Sequence, residues 1–201
     1  MEEIAKWLVD FVHGFGYLGI FVMSFLESTF VPIPAELTMV PAGYLVHEGQ
    51  MNFILVLLIS VIGTIAGSVF NYYIAMRYGR NFLFNYGKYL FFDHKKMDNL
   101  DKFFAKHGEI STFTGRLIPG LRHFISFPAG LAKMDLKKFT IYTGVGATIW
   151  MSILLAVGYL IGGNENAVHH YMPYITIATI LTVGAILFYY MNQNNKKLKK
   201  D

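Results

Sequence analysis

Residues 113–134 read FTGRLIPGLRHFISFPAGLAKM, an apolar stretch interrupted by Pro119 and Pro128 and carrying Arg116 and Arg122. A proline removes a backbone donor and collides with the preceding turn, so this stretch is not expected to be one continuous helix. Residues 17–46, YLGIFVMSFLESTFVPIPAELTMVPAGYLV, show the same pattern with the opposite charge: Pro32 and Pro34 interrupt the middle, and Glu27 and Glu36 flank them. In lipid, irregular backbone survives only where protein or a water-filled cavity covers it. A helical hairpin that dips to mid-membrane and returns satisfies that rule. Arms of about 12–15 residues, rising about 1.5 Å per residue, reach the midplane of a hydrocarbon layer about 30 Å thick without crossing it. We therefore expect two re-entrant hairpins, at 17–46 and 113–134, broken at these four prolines.

The rest of the chain supports a membrane setting. Of 201 residues, 54% are hydrophobic and 15% charged, against roughly 45–50% and 25% in soluble domains. That balance excludes a disordered chain. The 17 Lys and Arg are absent from 7–76 and 139–195, as a bilayer demands, since a central Lys or Arg costs about 2.5–3.5 kcal/mol. A nucleic-acid partner is not expected, because the cations follow topology rather than a docking face. Without cysteine, neither a disulfide framework nor a thiolate metal site can form.

Spanning helices are predicted at 52–76, 139–161 and 173–191. Residues 1–16 form an amphipathic surface helix, with Ile4, Trp7, Leu8, Phe11 and Val12 opposite Glu2, Glu3, Lys6 and Asp10. They have no basic-rich start or small-residue cleavage site, so a removed signal peptide is not expected. Residues 77–112 read as a cytoplasmic amphipathic connector, and 192–201 as a basic cytoplasmic tail. Small residues at Gly63–Gly67 and Gly158–Gly162 have the spacing of close helix packing.

Placing the basic connector and tail on the cytoplasmic side makes the first hairpin open outward and the second inward. The side of the N-terminus stays open. Hairpin-then-span thus occurs twice with opposite orientation, and Pro41-Ala42-Gly43 and Pro128-Ala129-Gly130 end the two hairpins. The expected fold is an all-α polytopic membrane protein: two inverted repeats, each a re-entrant hairpin plus a transmembrane helix, then a C-terminal transmembrane helix, with amphipathic surface helices. Proteins built this way bind substrate at the repeat interface near the bilayer centre.

Four unpaired charges in the hydrocarbon would cost roughly 10–14 kcal/mol, so Glu27, Glu36, Arg116 and Arg122 are expected to meet. Arginine suits bidentate phosphate recognition, which makes Arg116 and Arg122 the candidate phosphate-binding residues. Glu27 and Glu36 are the candidate proton carriers, because a carboxylate that loses its arginine in a dry site takes a proton. Charge pairs that only join the hairpins are the structural alternative. Asn71, Tyr72, Tyr73 and His123 are candidate cavity-lining residues, with helix packing the competing role for the first three and an interfacial position for His123. Trp150 reads as packing. His169 and His170 have no metal-ligand spacing, and no metal or cofactor is expected. No HExxH, GxSxG, P-loop or GxGxxG motif stands in a fitting context, so an enzyme is not expected.

On FLESTFVPIPAE at 25–36, PAG at 41–43, GTIAGSVFNYYIAMRYGR at 63–80, FTGRLIPGLRHFISFPAGLAKM at 113–134 and FTIYTGVGATIW at 139–150, the chain resembles the DedA family. This is a family of bacterial inner-membrane proteins whose domain is shared with eukaryotic lipid scramblases (the SNARE-associated or VTT domain). The resemblance covers about 17–163. It implies transport of a lipid carrier driven by the proton motive force, undecaprenyl phosphate foremost, and it places Glu27, Glu36, Arg116 and Arg122 at the functional positions. Ala35, Ser68 and Thr143 depart from the family's usual glycine, acid and asparagine. The expected function is a proton-driven flippase for undecaprenyl phosphate in the bacterial inner membrane, with the C-terminus cytoplasmic and sodium as the alternative coupling ion. A passive phospholipid scramblase and a non-transporting scaffold are the competing functions. A homo-oligomer is compatible with the sequence.

Overall fold

The computed structural model describes residues 2–29, 34–80, 94–118 and 121–162. The expected span at 173–191, the tail at 192–201, Pro32, Pro119, His169 and His170 lie outside them. The described residues form α-helices and no strands. Helix α1 (Glu2–Glu27) bends at Gly16, whose φ of 53° and ψ of −135° suit only glycine. A break follows, and α2 (Glu36–His47) starts just after Pro34. α2 stops at Gly49, φ 71°, where the Gly49 and Gln50 amides donate to Val46 and Leu45 and satisfy the last carbonyls.

Helix α3 (Phe53–Ile74) is capped by Asn52, whose side chain accepts from the Ile54 and Leu55 amides, and it runs on as a π-helical turn, Ala75–Gly79. Helix α4 spans His94–Leu117, α5 Ser126–Leu131 and α6 Leu136–Gly162. Asp135 caps α6 by accepting from the Lys138 amide. α5 ends as α2 does, but with Lys133 at φ 51° in place of a glycine, a conformation that costs an L-residue about 1–2 kcal/mol.

Two features of the second half differ from the sequence expectation. α4 crosses the expected boundary at 112/113 without a break, because no proline lies between His94 and Leu117 and the buried Thr112 and Arg116 keep one face of the helix inside. Pro128 does not break the chain. It lies in the first turn of the six-residue α5, where its missing N–H would have no helical partner anyway.

Glycines set the helix contacts. A Cβ on Gly63 would lie 2.7 Å from the Phe21 carbonyl oxygen, and one on Gly67 would strike that of Phe25, so α3 lies directly on α1. Gly43 of α2 and Gly158 of α6 meet backbone to backbone, Gly130 of α5 presses on the Tyr72 carbonyl of α3, and Gly146 of α6 presses on Arg116 of α4. α3 therefore packs on α1 and α5, while α6 packs on α4 and α2, and α3 and α6 touch each other. Exchanging α1–α3 for α4–α6 leaves these contacts unchanged.

Ile20, Met39, Val56, Met151 and Leu155 fill one core and Tyr72, Phe104, Ala129 and Phe139 another. Phe53–Gly79 and Leu136–Leu160 are long and apolar enough to cross a membrane, yet only 33% and 39% of their most apolar 18-residue stretches are buried. Ile54, Leu58 and Ile62 on the first, and Ile141, Val145 and Ile153 on the second, face outward. A core helix of a soluble protein would bury such residues; a lipid-facing helix would not.

Candidate functional site

Each of the four expected charges flanks a helix break. Glu27 ends α1, Glu36 begins α2, Arg116 lies in the last turn of α4, and Arg122 sits in the turn between α4 and α5. All four are buried, none more than 6% exposed. The Arg122 Nη2 is 3.1 Å from Glu27 Oε1 and 3.9 Å from Glu36 Oε2. Its guanidinium also lies over Trp150, 5.3 Å from the ring centroid, where the ring face favours a cation. Arg116 has no carboxylate within ion-pair distance among the described residues. Its Nη2 donates instead to the hydroxyls of Ser68, at 2.6 Å, and Ser126, at 2.9 Å.

The helix ends sharpen the contrast between the acids. A helix carries partial negative charge at its C-terminus and positive charge at its N-terminus. Glu36 is at a favourable end. Glu27 is at an unfavourable one and depends on Arg122.

Around these charges polar atoms are buried without a hydrogen-bond partner among the described residues: the second oxygen of Glu27, Arg116 Nε, Trp150 Nε1 and the hydroxyls of Ser24, Thr38 and Thr64. Such atoms are uncommon in folded interiors, and each costs stability. Glu27, Thr64, Arg116, Arg122 and Trp150 enclose a cavity of about 10 Å³. A larger apolar cavity of about 370 Å³ is lined by Asn71, Leu121, His123, Phe124 and Phe127. His123 borders both cavities, and its Nδ1 lies 2.9 Å from the Glu27 carbonyl oxygen. Because that oxygen only accepts, Nδ1 carries the proton.

Of the expected lining residues, Asn71 and His123 face the larger cavity, and Asn71 also ties α3 to the first break by donating to the Ser28 carbonyl at 3.0 Å. Tyr72 lines neither cavity: its hydroxyl donates to the Met134 carbonyl and its ring stacks on Phe139, so its role is packing. Tyr73 opens onto a separate cavity. Pro34 adjoins the first break, and Pro128 lies on the wall of the larger cavity. Sequence reasoning missed Ser68 and Ser126 as partners of Arg116, and Trp150 as the platform for Arg122. A tryptophan in mid-span, away from the interfaces where such rings concentrate, was the available signal for Trp150.

A model of the VTT domain matches residues 33–160. The uncharacterized membrane protein YbfM of Bacillus subtilis is 35% identical over 162 residues, covering 81% of this chain and 98% of that protein. Undecaprenyl phosphate transporter A of Bacillus subtilis is 34% identical over 192 residues, covering 95% and 93%. The alkaline phosphatase-like protein of Lactococcus lactis strain MG1363 is 28% identical over 191 residues, covering 92% and 88%. No solved structure matches the chain. The matched region takes in α2–α6 almost entirely, and with them every charge of the buried cluster but Glu27, so the chain belongs to the VTT-domain family, also called the DedA family.

Proposed function

We propose that this protein is a membrane transporter that moves a lipid phosphate, undecaprenyl phosphate foremost, across the bacterial cytoplasmic membrane, coupled to protons. The observation that carries the proposal is a single buried guanidinium, Arg122, shared by two carboxylates while Arg116, among the described residues, is held by hydroxyls alone. A phosphate carries enough charge and acceptor oxygens to take Arg122 from Glu27, and hydroxyls compete poorly with it for Arg116. The released Glu27, buried at the negative end of α1, then takes a proton. One phosphate entering is thereby linked to one proton bound. The unpartnered polar atoms around the cluster, and an apolar cavity beside it with room for part of a lipid chain, support the same assignment. So does the printed name of the Bacillus subtilis transporter.

The two breaks are read as re-entrant hairpins opening to opposite sides, with α1–α3 and α4–α6 as inverted repeats. The interchangeable contact scheme supports that pairing, and the site then falls where the repeats meet. The C-terminus is placed in the cytoplasm. Protein reconstituted in liposomes should move labelled undecaprenyl phosphate faster with an inward proton gradient than without one, and should release no inorganic phosphate. Equal rates would assign a passive scramblase, and phosphate release would assign a hydrolase.

A further inference from the structure

A second cation-bearing cavity, remote in composition from the charged cluster, lies where α3 ends. Its volume is about 520 Å³, and Phe70, Tyr73, Ile74, Arg77, Tyr78 and Lys133 line it. Two irregularities of the backbone deliver its cations. The π-helical turn Ala75–Gly79 widens the end of α3 at Arg77, and π-turns concentrate at functional sites. Lys133 holds φ at 51° at a helix end that ordinarily takes glycine, so a side chain is retained where its absence would be favoured. Neither cation has an acidic partner within ion-pair distance among the described residues. Their neighbour Arg80, by contrast, is paired, its Nε donating to the Leu131 carbonyl at 2.8 Å and its Nη2 to Asp101 at 2.6 Å. That anchoring fixes the π-turn against α5.

Two unpaired cations beside exposed tyrosines and an apolar wall are complementary to a phosphodiester joined to acyl chains. Tyrosine rings favour the headgroup level, and a basic pocket between membrane helices suits anionic lipid. We infer that this cavity binds the phosphate of an anionic phospholipid, with Arg77 and Lys133 pairing its charge. Its place in the cytoplasmic leaflet rests on the orientation proposed above; the binding itself does not.

The test uses purified protein in neutral detergent, with phosphatidylglycerol and phosphatidylcholine supplied at equal concentration and retained lipid counted by native mass spectrometry. Phosphatidylglycerol should be retained preferentially, and Arg77→Gln with Lys133→Gly should lower its retention roughly 30-fold, given about 1 kcal/mol per cation. Lys133→Gly alone should lower retention while raising Tm by a few degrees, of order that expected from relieving a left-handed residue, which separates lost binding from lost folding. Equal retention of the two lipids, or unchanged retention in the variants, would overturn the inference. Displacement of phosphatidylglycerol by millimolar inorganic phosphate would overturn the lipid as the ligand. Arg122→Gln combined with Glu27→Gln, which removes the transport site without stranding Glu27, should leave this retention intact, so the two can fail separately.

Discussion

The two helix breaks solve one electrostatic problem in different ways. The first brings Glu27 and Glu36 to either side of residues 28–35, and both depend for countercharge on Arg122 from the other break. The second brings Arg116 and Arg122, but among the described residues only Arg122 is paired with acids; Arg116 rests on Ser68 and Ser126. Burial makes the difference consequential. Removing one partner of a buried ion pair leaves an uncompensated charge, at about 3–5 kcal/mol, whereas removing a hydroxyl leaves an unsatisfied guanidinium donor, at about 1–3 kcal/mol. The acidic break is therefore energetically dependent on the basic one, while the basic break keeps one cation in reserve.

The largest expected effect breaks that dependence. Arg122→Gln strands two carboxylates and should destabilise the protein by about 3–5 kcal/mol and abolish transport, measured by thermal unfolding and by flux in liposomes. Adding Glu27→Gln should recover much of the stability and none of the transport. Glu27→Gln alone should cost more transport than Glu36→Gln, because Glu27 is closer to Arg122 and faces the wrong helix end. Gly67→Ala forces α3 off the Phe25 carbonyl and should cost about 1–3 kcal/mol in unfolding experiments, disturbing the first break from a distance.

The smallest effect is expected at an exposed pair that is closer in distance than any in the site. Lys138 Nζ lies 2.5 Å from Glu109, and Tyr142 donates to the same carboxylate at 2.7 Å. Those hydrogen bonds hold the Glu109 carboxyl below its ordinary range. Its contribution is thus complete above the ordinary carboxylate pKa and is lost as pH falls through the lowered value. Because the pair is solvated, Glu109→Gln should leave Tm near neutral pH unchanged within error. A large drop would mean that distance, not burial, governs these contacts.

The charged cluster was legible because apolar segments so rarely carry glutamate or arginine that each one demands a partner. Prolines marked the first break well, since Pro34 stands just ahead of α2. They marked the second less well. Pro128 fits a helix's first turn, and nothing before Pro119 announces that α4 continues through Thr112 and Phe113. Hydroxyl partners were invisible for a physical reason. Ser68 and Ser126 are ordinary in membrane helices, and only the three-dimensional fold brings them to one guanidinium. Trp150 is similar, its role set by what lies over its face. The spacings Gly63–Gly67 and Gly158–Gly162 pointed to close packing, and all four glycines meet neighbouring backbone or side chains within 3.0 Å of an added Cβ.

The exchange of a carboxylate for a phosphate on Arg122 can be measured as protons. Polyprenyl phosphate is titrated into purified protein in weakly buffered detergent near neutral pH, with the Glu27→Gln, Glu36→Gln double variant subtracted to remove the lipid's own titration. Uptake of about one proton per phosphate bound, lost in the double variant, is the result the mechanism requires. Tight binding with no difference in proton uptake between the two proteins would contradict it.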